Sequence, residues 1–383
     1  TQGSKLYSVL PADGVGDFTF SRGSAATRIN KDGLIETVAS GVSRLNYPLI
    51  DGVVNGCPSH LLEPSRLQLI QYSEDFSQSE WNKQQSGTAS VPIVTSNYGI
   101  SPDGTQNADR VQLNLNGGTS GSDISFIGDY LTTISSATSG SFYLKSLDGI
   151  KNVRIRNGNA ILNVDVATQW KRFIVTDEIS SNKLQLMLYG NSNSQSADLL
   201  IYGAQLEQGS YATSYIPNYG TAAGVTRSAE TANGAGDAST FNDSEGVLYA
   251  EISTLANDGS SRQISLSDGS SSTNKVSLIY TSTSNQLQAF IRSSGSIAFN
   301  VSEILSDTTN NNKIALKYKA NDFALWVNGI ELANDTIGNA PTSLNVLDFD
   351  DADGSSDFYG NVKDVRVYNT ALTDAELQAL TSN

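Results

Sequence analysis

Residues 200–230 read LIYGAQLEQGSYATSYIPNYGTAAGVTRSAE. Residues 199–202 are apolar and read as a buried strand, which runs out into a loop carrying Tyr211, Tyr215 and Tyr219. The three rings recur at even spacing, and Pro217 stiffens the backbone between them by fixing φ. An aromatic-rich segment of this kind seals the edge of a β-sandwich or the junction between two domains. The chain on either side is therefore expected to be built from sandwiches.

Working outward, turn dipeptides punctuate the whole sequence. Asp13-Gly14, Asp32-Gly33, Asp103-Gly104, Asn116-Gly117, Asp148-Gly149, Asn157-Gly158, Asp268-Gly269 and Asn328-Gly329 each supply the positive φ of a tight hairpin. Between them lie short alternating segments: SFYLKSL (141–147), NVRIRNG (152–158), KRFIVT (171–176) and LQLMLYG (184–190). Alternation over that length predicts strands with one buried face. A helical pattern occurs only at the C-terminus, where Thr373 and Glu376 form a capping box. The fold class expected is all-β: tandem antiparallel sandwiches (jelly rolls) with a short C-terminal helix.

Composition narrows the function classes. At 383 residues the chain exceeds one ordinary core, so two or three domains are expected. Charged residues make up 16%, too few for a disordered chain, and the abundance of Gly, Ser, Thr and Asn disfavours a helical one. Of the formal net charge of −15, residues 228–383 carry −12, with 8 Lys/Arg against 20 Asp/Glu. Nucleic acid is a poor partner for that surface, because phosphate binding needs a basic patch. Cys57 is the single cysteine, which excludes an intrachain disulfide and a zinc cluster. A secreted host protein of this size would carry disulfides; one assembled in bacterial cytoplasm and released by lysis would not. No signal peptide or long apolar run is present, so membrane insertion is not expected. Position 1 is Thr rather than Met, as in a processed chain or a fragment, which leaves an upstream anchor open.

Three regions follow. Residues 1–65 are an irregular lead with two short strands, read as an attachment region, and include DFTFSRGSAATRINKDGLIETVASGVSRLNYPLIDG (17–52). Residues 66–227 form a first sandwich that begins LQLIQYSEDFSQSEWNK (67–83). Residues 228–383 form a second, set apart by the Gly/Ala/Ser/Thr-rich stretch 231–240. In the second, FALWVNGIE (323–331) makes a hairpin around Asn328-Gly329. FYGNVKDVRVYNTALTDAELQAL (358–380) then gives a strand presenting Val362, Val365 and Val367, followed by the capped helix.

These strings resemble known proteins. The stretch 200–230 and the lead are similar to segments of tailed-bacteriophage virion proteins, and the start of the first sandwich resembles carbohydrate-binding-module-like jelly rolls in the same proteins. The last strand and helix resemble the laminin-G/concanavalin-A-like jelly roll over roughly the last 150 residues. That fold hosts lectins, glycosidases and adhesion modules alike.

Catalysis has little to rest on. A retaining glycosidase needs two carboxylates about 5 Å apart, commonly written E-x-D-x-x-E on one strand face; the motif is absent. Glu74, Asp75 and Glu80 read as a solvated loop beside Trp81. His60, three residues after Cys57, reads as a packed loop histidine rather than half of a nucleophile pair. There is no Walker loop, Rossmann fingerprint or metalloprotease helix.

For a metal, LDFDDADGSSDF (347–358) offers Asp348, Asp350, Asp351, Asp353 and Asp357 as a candidate Ca2+ loop. It is not an EF-hand, since Tyr359 stands where the twelfth-position Glu belongs, and the competing reading is an exposed acidic turn. Sugar binding would use exposed aromatic faces. Trp170 and Trp326 sit at strand positions and read as core. Trp81, Tyr211, Tyr215 and Tyr219 are the ligand-binding candidates, with burial at the junction as the tyrosines' competing fate.

The resemblance implies a non-enzymatic phage virion component, a tail-fibre or head-spike subunit that binds host cell-surface glycan. Its partners would be other virion proteins and two further copies in a homotrimer, and its location the virion surface. The alternatives are a structural decoration or connector protein and a capsule depolymerase.

Overall fold

The computed structural model describes residues 4–6 and 18–382, which leaves the Asp13-Gly14 turn outside the described residues. Strands hold 52% of the chain and helix 2%, so the all-β expectation stands. The four alternating segments coincide, to within one residue at their C-terminal ends, with the strands Thr138–Ser146, Lys151–Asn157, Lys171–Asp177 and Ser181–Tyr189.

Two five-stranded antiparallel sheets face each other in the first sandwich. One runs in the order Asn82–Ser86, Ile124–Ile134, Ser181–Tyr189, Lys151–Asn157, Ala160–Val166. The other runs Ser90–Gly99, Ala108–Asn114, Ser196–Gln208, Thr138–Ser146, Lys171–Asp177. Their inward positions, among them Phe142, Leu144, Ile155, Leu186 and Leu199, make one continuous core, which Phe76 joins from the turns before Asn82. Burying such side chains contributes about 25 cal/mol per Å² of apolar surface, the dominant favourable term.

Residues 199–202 lie in the long central strand Ser196–Gln208, and Gly203 follows at φ +61. The register against Thr138–Ser146 slips there: Ser141 faces Gln205, while Tyr143 faces Tyr202. A Cβ at Gly203 would lie 3.0 Å from Tyr143 and 3.3 Å from Tyr215, so glycine is required both for the bulge and for the space. Gln205 and Glu207 then hold the loop. Gln205 Oε1 accepts from Ile216 N at 2.7 Å, and Glu207 accepts from Thr213 N and Oγ1 at 2.7 Å each.

The second sandwich packs the sheet Ser296–Ile304, Gln286–Ser293, Lys275–Tyr280, Arg262–Ser267, Val346–Asp348 against a larger one centred on Glu245–Thr254 and Gly360–Tyr368. The hairpin at 323–331 forms as expected, with Asn328 (φ 51) and Gly329 (φ 83) at the turn. The helix spans Asp374–Thr381 and its capping box is intact.

The lead is more ordered than two strands. Ser59–Leu62 pairs with Gly360–Tyr368, and Leu45–Asn46 pairs with Ser59–Leu62, so the lead extends the larger sheet of the second sandwich. Ala26–Ile29 and Ile35–Val38 make a hairpin of their own. The stretch 231–240 is no loose spacer either. Thr231–Asn233 pairs with Thr19–Ser21, and Ala232 and Ala235 are fully buried.

Charged side chains lock this junction. Arg22 pairs with Glu230 at 2.7 Å, Arg44 bridges Glu230 and Glu63, and Arg227 reaches Glu63 at 2.7 Å; all five side chains are buried. Burial alone would raise the Glu63 pKa, but Arg227 and Arg44 hold it down at about 2.

Candidate functional site

Of the four aromatic candidates, only Tyr219 offers a free ring. Trp81 is buried, its ring 4.7 Å from Phe76 and 6.0 Å from Phe142, and its Nε1 donates to Tyr72 O at 2.8 Å. It plugs one end of the core and has no face left for a ligand, which corrects its placement as a surface residue. Tyr215 is buried as well, packed against Tyr202 and Ile35. Tyr211 is half-buried beneath the Arg66 guanidinium, 5.0 Å from its ring, and its hydroxyl meets Arg262 of the second sandwich. Junction packing therefore accounts for Tyr211 and Tyr215. Tyr219 is 74% exposed.

Tyr219 is exposed but held. Its backbone bridges Tyr72, and its hydroxyl lies near the Glu74 carboxylate. Gly220 follows at φ +124, with the Tyr72 ring 3.2 Å from where a Cβ would stand. Glu74 is the hub. Its Oε1 accepts from Tyr215 at 2.8 Å and from Tyr202 at 3.0 Å, and its Oε2 accepts from Asn107 Nδ2 at 3.1 Å. Burial raises the Glu74 pKa, the phenol hydrogen bonds oppose that rise, and no cation helps them. Burial of the Tyr219 hydroxyl, and then the nearby Glu74, push the phenol up to about 12.

Around the ring opens a cleft of about 370 Å³ lined by Tyr72, Glu74, Asp75, Gln78, Ser96, Asn97, Asn107, Asp109 and Asn218. Asp109 is buried and pushed up to about 6 by that burial, and its two oxygens accept from Phe76 N (2.8 Å) and Asn97 N (2.9 Å). Asn107 Oδ1 is buried with no hydrogen-bond partner. The arrangement combines a fixed aromatic platform with amides and carboxylates close by. It suits a ligand with one apolar face and a ring of hydroxyl or amino donors.

A second cleft, of about 480 Å³, was missed by sequence reasoning. Tyr47, Pro48 and Asp51 of the lead face Tyr143, Trp170 and Lys171 of the first sandwich across it. Trp170, expected in the core, is half-buried in this wall, and its Nε1 donates to Ile100 O at 3.1 Å. Trp326 is core, as expected.

The acidic loop does not converge on a cation. Asp348 accepts from Gly234 N at 2.6 Å, Asp350 from Asn233 Nδ2 at 2.7 Å, Asp353 from Ser355 N at 3.0 Å and Asp357 from the Tyr359 hydroxyl at 2.9 Å; Asp351 pairs with Lys275. Among the described residues no group of three or more His, Cys, Asp or Glu side chains could hold a metal ion. The calcium candidacy is thereby corrected. These carboxylates fasten residues 233–234 and strand Lys275–Tyr280, and Asp348 and Asp350 are buried rather than exposed. His60 lies in Ser59–Leu62 with Nδ1 3.2 Å from Ser43 Oγ, while Cys57 is exposed.

The protein family described as the concanavalin A-like lectin/glucanases superfamily matches residues 229–378, the second sandwich. No curated protein matches the chain. Among solved structures, the CBM40 of the Ruminococcus gnavus IT-sialidase, bound to α2,3-sialyllactose, is 18% identical with a TM-score of 0.33, covering 39% of this chain and 94% of that one. Domain 4 of AbnA, an arabinanase of Geobacillus stearothermophilus, is 12% identical at a TM-score of 0.33, covering 40% and 73%. The LG4-5 domains of the mouse laminin α1 chain are 10% identical at 0.27, covering 64% and 88%. At these values the fold stands on the sheet geometry and not on the likenesses.

Proposed function

We propose that this protein is a non-enzymatic glycan-binding protein whose ligand stacks on Tyr219. The observation that carries the reading is a 74% exposed ring, held through its backbone against Tyr72 and with the half-buried Glu74 carboxylate near its hydroxyl, at the mouth of a polar cleft. A platform already rigid before binding loses little entropy when a sugar settles on it. The concanavalin A-like lectin/glucanases family matched over residues 229–378 supports sugar recognition by the second sandwich, outside the Tyr219 cleft. Catalysis finds no support here. The Asp109 oxygens both hold backbone N–H groups, and both Glu74 oxygens hold phenols or an amide. Both carboxylates thus serve to hold the cleft's own backbone and side chains in place.

The biological setting belongs to the same proposal: a tailed-phage virion fibre or spike subunit, trimeric and joined to other virion proteins. What supports it is the resemblance of the lead, the start of the first sandwich and the 200–230 junction to segments of such proteins. The test is a glycan array probed with the wild-type chain, Tyr219→Ala and Trp170→Ala. A defined wild-type hit lost in Tyr219→Ala and kept in Trp170→Ala is expected. Loss only in Trp170→Ala would move the site to the 480 Å³ cleft. A blank array for the wild type overturns glycan binding and favours a structural virion role.

A further inference from the structure

We propose that the Tyr219 cleft prefers a glycan bearing a free ammonium group, a deacetylated hexosamine, over neutral sugars, and rejects anionic ones. The inference rests on the glycan-binding reading above and adds the ligand's charge.

The cleft and its exposed ring make the site; the balance of donors and acceptors selects the ligand. Glu74, Asp75 and Asp109 line the cleft, and no Lys, Arg or His does. The donors near them are already engaged. The phenols of Tyr202 and Tyr215 donate to Glu74, the Asn107 amide to Glu74 and Asp103, and the Gln78 amide to Asp75. Lys83, the cation whose field reaches Asp75 and Asp109, is turned onto the carbonyls of Ser77 and Gln78 at 2.9 and 2.8 Å. What remains is a surplus of acceptors: carboxylate lone pairs without a cation, and Asn107 Oδ1 buried without a donor.

An ammonium group supplies what is missing, three donors and one positive charge. The Tyr219 face favours it too, because an aromatic quadrupole attracts cations. A uronic or sialic carboxylate would instead meet like charge in a partly desolvated cleft, where repulsion is strong. A hydroxyl-only sugar satisfies the donors' side but leaves the charge unmatched.

The experiment titrates the full chain with glucosamine oligomers, their fully N-acetylated counterparts and oligogalacturonate, by calorimetry, at low and high salt and with EDTA. Glucosamine oligomers are expected to bind roughly tenfold more tightly than the acetylated ones at low salt, with the advantage shrinking as salt rises. Tyr219→Ala should weaken both by about tenfold. Glu74→Gln should weaken the glucosamine oligomer more than the acetylated one, and Asp75→Asn should do so in a smaller degree should the Glu74 variant misfold. Equal binding of acetylated and free oligomers, weakened together in Tyr219→Ala, overturns the charge preference and leaves glycan binding standing. Tight oligogalacturonate binding overturns it as well, and so does binding abolished by EDTA, which would assign the acceptor surplus to a metal. No binding of any of the three, together with a blank array, removes both readings.

Discussion

At the scale of single residues, four aromatic side chains that look alike in sequence meet four fates, and hydrogen-bond partners far along the chain decide among them. Tyr215 is drawn inward by Ser73 and Glu74, Tyr211 is covered by Arg66, Trp81 closes the core, and Tyr219 is left with one face in water. Tyr219→Ala should weaken glycan binding about tenfold, since an aromatic contact contributes roughly 0.5–1.5 kcal/mol. Thermal unfolding should shift little because the ring is exposed, and a large fall in melting temperature would mean that the ring is structural. Gly203→Ala should act on stability first. A left-handed φ and a Cβ pressed against Tyr143 and Tyr215 should cost about 1–3 kcal/mol in chemical denaturation. Through Tyr215 and Glu74 the same change should loosen the Tyr219 platform, and binding should fall with stability. Gly203 was visible in the sequence as a letter of a motif. Its physical content, a bulge two strands deep, was not.

Elements were legible wherever their cause was local. Asn328-Gly329 adopts positive φ whatever lies around it, and the Thr373–Glu376 box closes within one turn, so hairpin and helix were read correctly. The strand Gly360–Tyr368 shows where locality ends. Val362 and Val365 are three apart, an odd step that would put them on opposite faces, yet both are buried. A register shift opposite Glu251 and Ile252 absorbs Lys363 and restores the face. The acidic loop misled for a related reason: five aspartates close in sequence looked like a ligand set, but Asp348, Asp350 and Asp351 are taken by residues remote in the chain, and Asp353 and Asp357 by neighbours two positions on. The melting temperature should therefore be the same in calcium and in EDTA. A calcium-dependent rise, abolished by Asp350→Asn with Asp353→Asn, would restore the metal loop. The 480 Å³ cleft was illegible because its two walls come from the lead and the first sandwich, and nothing local to Trp170 announces the lead's arrival.

For the molecule as a whole, the buried pairs at the junction and the titrating groups in the cores set how stability responds to pH. Removing one partner from a buried network leaves its mates unpaired, so Glu230→Ala should cost about 3–5 kcal/mol and should separate the unfolding of the two sandwiches in calorimetry. A single cooperative transition of unchanged midpoint would show that the network does not couple them. The acid side follows from the shifted groups. Burial holds Asp109, Asp129 and Asp350 at about 6, above the usual carboxylate value near ~3.9. Their contribution is fully present below ~3.9 and is lost as pH rises through about 6. Burial of His60 lowers its pKa to about 4, so its contribution is present above ~6.5 and is lost as pH falls through about 4. Glu63, held at about 2, stabilises above ~4.3 and is lost only below that. Between pH 7 and ~4.5 three carboxylates outweigh one histidine, and protonation also relieves the self-repulsion of a chain with net charge −15. The melting temperature, measured at low protein concentration to limit precipitation near the pI of 4.4, should therefore rise from pH 7 to a maximum near ~pH 4.5–5 and fall below pH ~4, where Glu63 protonates in the unfolded chain but stays ionised in the folded one down to about 2. Asp350→Asn should flatten the rise by removing one of its three sources. A melting temperature that falls steadily from pH 7 downward would mean that the buried carboxylates are ionised at no cost, and that His60 governs the acid response instead.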